Sequence, residues 1–173
     1  MARLGKSMSA LYLLRHAKAE PKNLDGDRDR VLAERGRADA KAMAAIVVKR
    51  AIAPELVLCS GAARTRETLA ILLPALNPAP RIVTEDEIYL ADARQLLKRL
   101  RSVPEAVESL MLIGHNPGLQ ELALLLSDRS SGPQMAKLAE GFPTAALACF
   151  DVLLPWPVLQ PGGATLTAML TPA

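Results

Sequence analysis

Aromatic side chains are almost missing from this chain: one Trp, two Tyr and two Phe in 173 residues. So few rings offer no platform for stacked bases, and a formal net charge of +3 is too small to argue for a polyanion. Nucleic acid is therefore not expected as a partner. Cysteine is scarce as well. Cys59 and Cys149 each sit inside an apolar, strand-like run with no Cys-x-x-Cys spacing, which reads as two buried free thiols of a cytoplasmic protein. No apolar stretch approaches the roughly 20 residues of a membrane helix, so no membrane association is expected. Ahead of Arg15 lies an apolar run of only five residues, Ala10 to Leu14, too short for the core of a secretion signal. Residues 1–8 read as a loose extension in front of one domain spanning 9–173, and Met8 offers a second candidate start.

What is present is the composition of a globular protein, half apolar and 23% charged, long enough to bury a single core. Along it, short apolar runs alternate with helical patterns. Strands are expected at Ala10 to Leu14, Leu56 to Cys59, Arg81 to Val83 and Leu110 to Ile113, with closing strands at Leu147 to Leu153 and Ala164 to Leu170. Helices are expected from Ala33 to Ala51, Ala62 to Leu73, Ala91 to Leu100 and Gly118 to Leu126. In the first, Ala40, Met43, Ala44 and Val47 share a face. Residues 18–31 and 127–143 read as loops. Repeated βα units predict an α/β fold: one three-layer domain with a mostly parallel central sheet and helices on both faces.

Ligands of such sheets bind beyond the carboxyl ends of the strands, and the chemistry of this chain gathers there. Arg15-His16-Ala17 follows the first strand, Ser60-Gly61-Ala62-Ala63-Arg64 the second, and Gly114-His115-Asn116-Pro117 the fourth. The chain owns only two histidines, and both occupy such positions. Two guanidinium forks match the oxygens of a phosphate dianion. A neutral imidazole can take a phosphoryl group covalently, and a second, protonated one can donate to its oxygens. The N-termini of the two following helices add N–H groups that favour an anion. Taken singly, each residue has a plainer role: Arg15 in a surface ion pair, Arg64 on a solvated helix face, either His in the core. The histidines could instead ligate a metal with Asp27 or Asp29, but two arginines beside them would repel a divalent cation. No metal and no cofactor is expected.

The segments LYLLRHA, SGAARTRET and LIGHNPG resemble the three signature segments of the histidine phosphatase superfamily, which includes phosphoglycerate mutases and acid phosphatases. The resemblance implies a phosphoglycerate mutase-like fold, with His16 as the phosphorylated nucleophile and His115 as the second catalytic histidine. Arg15 and Arg64 would then bind phosphate. Ala17 stands where the family usually has glycine, a departure shared with its small bacterial branch of SixA-type phosphohistidine phosphatases. The stretch from Asp27 to Gly36 resembles that branch's loop, with Val31 where proline is common.

Larger members carry a general acid on an insertion, for which Leu73 to Arg81 leaves no room. The candidates that remain are Asp27, Asp29, Glu87 and Asp92, each also readable as a surface charge or a helix cap. The expected activity is metal-independent hydrolysis of a phosphate monoester or phosphoramidate, with a phosphohistidine protein as the favoured substrate. A small-molecule phosphatase of the same mechanism and a phosphate-binding module without turnover remain as alternatives.

Overall fold

A computed structural model describes residues 8–22 and 24–172; the expected extension therefore lies, apart from Met8, outside the described residues. Six strands form one sheet: β1 (Ser9–Arg15), β2 (Leu56–Ser60), β3 (Arg81–Glu85), β4 (Ser109–Gly114), β5 (Leu147–Val152) and β6 (Ala164–Leu170), in the order β3-β2-β4-β1-β5-β6. β3, β2, β4 and β1 pair in parallel, and β5 pairs antiparallel with both β1 and β6. β5 is thus the one strand that runs against the rest.

Period-two burial sorts the central strands into two cores. Leu11 and Leu13, Leu56 and Leu58, and Leu110 and Leu112 face one side; Leu14, Val57, Cys59, Met111 and Ile113 face the other. Helices α1 (Glu34–Lys49) and α2 (Ala63–Leu72) cover the second face through Ala40, Met43, Val47, Leu69 and Leu72. Helices α3 (Ala93–Arg101) and α4 (Gly118–Leu126) cover the first through Leu96, Leu97, Leu100, Leu119 and Leu122. Asp92 caps α3 in a reciprocal capping box with Gln95. The expected three layers are present, and both cysteines are buried and unbridged.

Two segments differ from expectation. Residues 127–143 are not a bare connection, because Pro133–Glu140 forms a fifth helix, α5, that buries Leu138. Proline at its first position and glycine just past its end are ordinary helix boundaries, read from sequence as loop composition. β3 also runs two residues further than expected, to Glu85, before a short 3-10 turn at Asp86–Ile88.

Strand register sets where the chemistry emerges. Arg15 lies opposite Gly114, and Cys59 opposite Ile113, so His16, Ser60 and His115 leave the sheet at one edge. The loop between β1 and α1 returns over that edge. Its ends are held by Ala33 N–H to the Lys18 carbonyl (2.9 Å) and Glu20 N–H to the Val31 carbonyl (2.8 Å), and Glu67 accepts from Leu32 N–H at 2.8 Å. Gly36 allows α1 to press on this loop, since a Cβ there would come within 2.0 Å of the Lys18 carbonyl oxygen. Gly36→Ala should therefore cost roughly 1–3 kcal/mol through overpacking. A chemical-denaturation midpoint unchanged from wild type would show that the loop is not clamped there.

Candidate active site

Arg15, His16, Arg64 and His115, the four residues singled out from sequence, converge on one cavity of about 400 Å³. Lys18, Asp27, Arg30, Leu90, Asn116 and Thr144 also line it. The two imidazole centroids are 5.3 Å apart, and His16, Arg64 and His115 are all buried.

The tautomers follow from the partners. His16 Nδ1 lies 2.7 Å from the Ala17 carbonyl oxygen, which can only accept, so the ring proton sits on Nδ1 and Nε2 carries the lone pair. Arg64 Nε–H donates to that Nε2 at 3.4 Å. Ser60 Oγ accepts from Ala62 N–H at 3.3 Å, and we assign its hydroxyl as the donor to His115 Nε2 at 2.7 Å. The His115 proton is then on Nδ1. That nitrogen and Arg15 Nε are, among the described residues, the buried side-chain polar atoms with no hydrogen-bond partner. Two unpartnered nitrogens on residues that line one cavity with Arg64 and His16 suit an anion.

Hydrogen bonds fix the backbone on either side of the His16 ring. Ala17 N–H donates to Thr68 Oγ1 at 3.0 Å, whose hydroxyl donates to the Arg64 carbonyl at 2.7 Å. Ala145, held at φ +62, gives its N–H to both the Arg15 and His16 carbonyls, at 3.2 and 3.0 Å. Ala17 itself is fully buried in the α1/α2 core and needs no positive φ, so the alanine that replaces the family glycine is accommodated without strain.

Burial pulls the His16 imidazole down to about 4; the guanidiniums of Arg64, Arg15 and Arg30 act the same way, against the Ala17 carbonyl. His115 falls to about 3, chiefly by burial and then by His16 and Arg64. The pocket therefore holds two neutral imidazoles at pH 7, whereas a protonated second histidine is expected from sequence. Asp27 is held down to about 2, first by the Tyr89 hydroxyl and then by Arg64 and Arg30.

Of the four candidate carboxylates, Asp27 alone lines the cavity. Its Oδ2 accepts from Arg64 Nη2 at 3.1 Å and from the Tyr89 hydroxyl, its Oδ1 from Arg30 Nε at 3.0 Å, and its carbonyl from Arg64 Nη1 at 2.8 Å. Asp29 is exposed, Glu87 lines a separate cavity with Lys98 and Arg99, and Asp92 is the α3 cap. Helix N-termini contribute less than expected. The Ala63 N–H goes to the Arg28 carbonyl at 2.9 Å, and Asn116 Oδ1 takes the Gln120 N–H at 3.3 Å.

Sequence reasoning missed Tyr89, whose ring meets His115 edge-on at 5.4 Å. The segment beyond β3 yields Glu87 and Asp92 when read for carboxylates, and the tyrosine between them carries no such signal. Among the described residues, no group of three His, Cys, Asp or Glu is placed to hold a metal ion. No helix among them is long and apolar enough to cross a membrane.

The sequence pattern of the histidine phosphatase superfamily (branch 1) matches residues 11–107. An uncharacterized protein of Mycobacterium tuberculosis is 31% identical over 162 residues, covering 92% of this chain and 99% of that one. Among solved structures, the inferred phosphohistidine phosphatase SixA from Agrobacterium tumefaciens superposes with a TM-score of 0.79 at 33% identity, over 94% of this chain and 97% of the other. Its counterpart from Nakamurella multipartitia gives 0.83 at 26% identity, over 98% and 99%. The phosphoglycerate mutase-like architecture expected from sequence is borne out.

Depressed histidines make stability depend on pH in a calculable direction. Between pH 4 and 6.5 the unfolded chain binds protons that the folded one refuses, so stability is complete above about 6.5 and declines toward pH 4. The chain has only two histidines, which isolates the effect. Unfolding at pH 5.5 should take up about two protons, measurable from the pH slope of the denaturation free energy, and close to none in the double variant His16→Asn, His115→Asn. Equal uptake by both proteins would contradict the neutral assignment.

Proposed function

Because the chain belongs to the histidine phosphatase superfamily, we propose that this phosphatase works through a covalent phosphohistidine on His16, with protein phosphohistidine as its preferred substrate. The observation that carries the reading is a His16 whose Nε2 holds the lone pair, engaged only by a long 3.4 Å contact from Arg64 Nε–H, in a cavity lined also by Arg15, Arg64 and a His115 with an unpartnered Nδ1.

In the first step His16 Nε2 attacks phosphorus, and the bond to the leaving group breaks with its electron pair going to that group. Arg15 and Arg64 hold the phosphoryl oxygens, and His115 Nδ1–H donates to one of them as charge shifts in the transition state. In the second step water attacks the phosphorus on His16. The P–N pair returns to Nε2, and the water protons leave with inorganic phosphate. Two guanidiniums supply the positive charge that magnesium brings elsewhere, so the proposed reaction needs no metal.

Two features favour phosphohistidine. α2 ends at Leu72 and β3 begins at Arg81, too short a connection for a covering domain, so the pocket is reachable by a residue on another protein. The likeness at 33% identity to the inferred phosphohistidine phosphatase SixA points the same way. A phosphohistidine also leaves as an imidazole, whose reference pKa of about 6.5 makes it a far better leaving group than an alkoxide.

Side-by-side kcat/KM values on phosphoimidazole and a sugar phosphate test this reading. Phosphoimidazole should be strongly preferred and its turnover unaffected by excess EDTA. His16→Ala should abolish it, and Arg64→Ala should slow it on the order of 100-fold. Undiminished turnover by His16→Ala, or loss on chelation restored by one divalent ion, would overturn the mechanism.

A further inference from the structure

An anion site that contains a carboxylate calls for a reason. Asp27 is, among the described residues, the one acidic group lining a cavity whose other ionisable lining residues are Arg15, Lys18, Arg30, Arg64 and two histidines. Its charge opposes a phosphate dianion. An ionised carboxylate offers about four acceptor positions. Arg64 Nη2, the Tyr89 hydroxyl and Arg30 Nε fill three of them, two on Oδ2 and one on Oδ1. Among the described residues nothing fills the remaining position on Oδ1.

Its depth in the pocket is informative. The Asp27 side chain is 29% exposed where its partner Arg64 is 3% exposed, so the carboxylate stands nearer solvent than the guanidinium it pairs with. In an in-line displacement the leaving group departs on the side opposite His16, which is outward. From the proposed function, we infer that the Asp27 carboxylate accepts the far ring N–H of a departing imidazole, and so selects phosphohistidine over esters with anionic leaving groups.

The chemistry balances without a separate acid. A carboxylate within hydrogen-bond reach favours the protonated form of an imidazole by one to three pKa units in comparable pairs. With a proton already on the far nitrogen, the P–N pair passes to the nitrogen nearer phosphorus and neutral imidazole leaves. No proton has to be delivered to the departing atom. An alkoxide or phenolate would instead build negative charge toward Asp27. Tyr89 acts through Asp27, as a positioning residue.

The experiment compares kcat/KM on phosphoimidazole and on p-nitrophenyl phosphate for wild type, Asp27→Asn and Asp27→Glu, with thermal melts alongside. The ratio of the two values should fall at least tenfold in Asp27→Asn, and Asp27→Glu, which keeps the charge, should regain part of it. Equal losses on both substrates would mean that Asp27 merely holds Arg64, and an unchanged ratio would likewise overturn the inference. Failure of the wild type to hydrolyse phosphoimidazole would sink the proposed function instead, which keeps the two outcomes apart.

Discussion

A guanidinium buried as deeply as that of Arg64, 2% exposed, is stable only beside groups that accept its protons. Its partners lie on two other elements of the chain. Nε reaches His16 at the end of β1, and Nη1 and Nη2 reach the carbonyl and carboxylate of Asp27 in the loop that follows. From α2, Arg64 therefore ties the strand-end histidine to the loop above it. The same loop is anchored to α2 through Arg28 and Leu32 and to α1 through Gly36. Burial that keeps both imidazoles neutral and pairing that keeps Asp27 ionised belong to this one arrangement.

Much of it was legible in the sequence because parallel sheets place function at strand ends. His16, Arg64 and His115 could be grouped before any coordinates, since each follows an apolar run whose end was easily drawn. Tyr89 escaped because the segment from Glu87 to Asp92 draws attention to its carboxylates, and a lone tyrosine carries no phosphate-binding signal until its hydroxyl is placed against Asp27. α5 escaped because Gly132, Pro133 and Gly141 read as breakers when they are the boundaries of a helix. The protonation of His115 was not legible at all. It depends on burial and on the Ser60 hydroxyl, and neither is a property of local sequence.

Asp27 shows why the missing acid was hard to place. It was named among four carboxylates as a possible donor, but a group held at about 2 has no proton to give at neutral pH. A carboxylate beside a leaving imidazole needs none, because it acts on the far nitrogen by charge. On the proposed reading the site brings two imidazoles to one phosphoryl group, with guanidiniums on the phosphate and the Asp27 carboxylate on the solvent side of Arg64.

The central claim is that His16 carries that phosphoryl group. Rapid quenching of a single turnover with phosphorus-labelled phosphoimidazole, followed by digestion and mass spectrometry under non-acidic conditions, reads it directly. The account predicts an acid-labile, base-stable label on the His16 peptide that rises and then decays as inorganic phosphate appears. Label on the His115 peptide, or turnover with no labelled histidine at any time point, would contradict it.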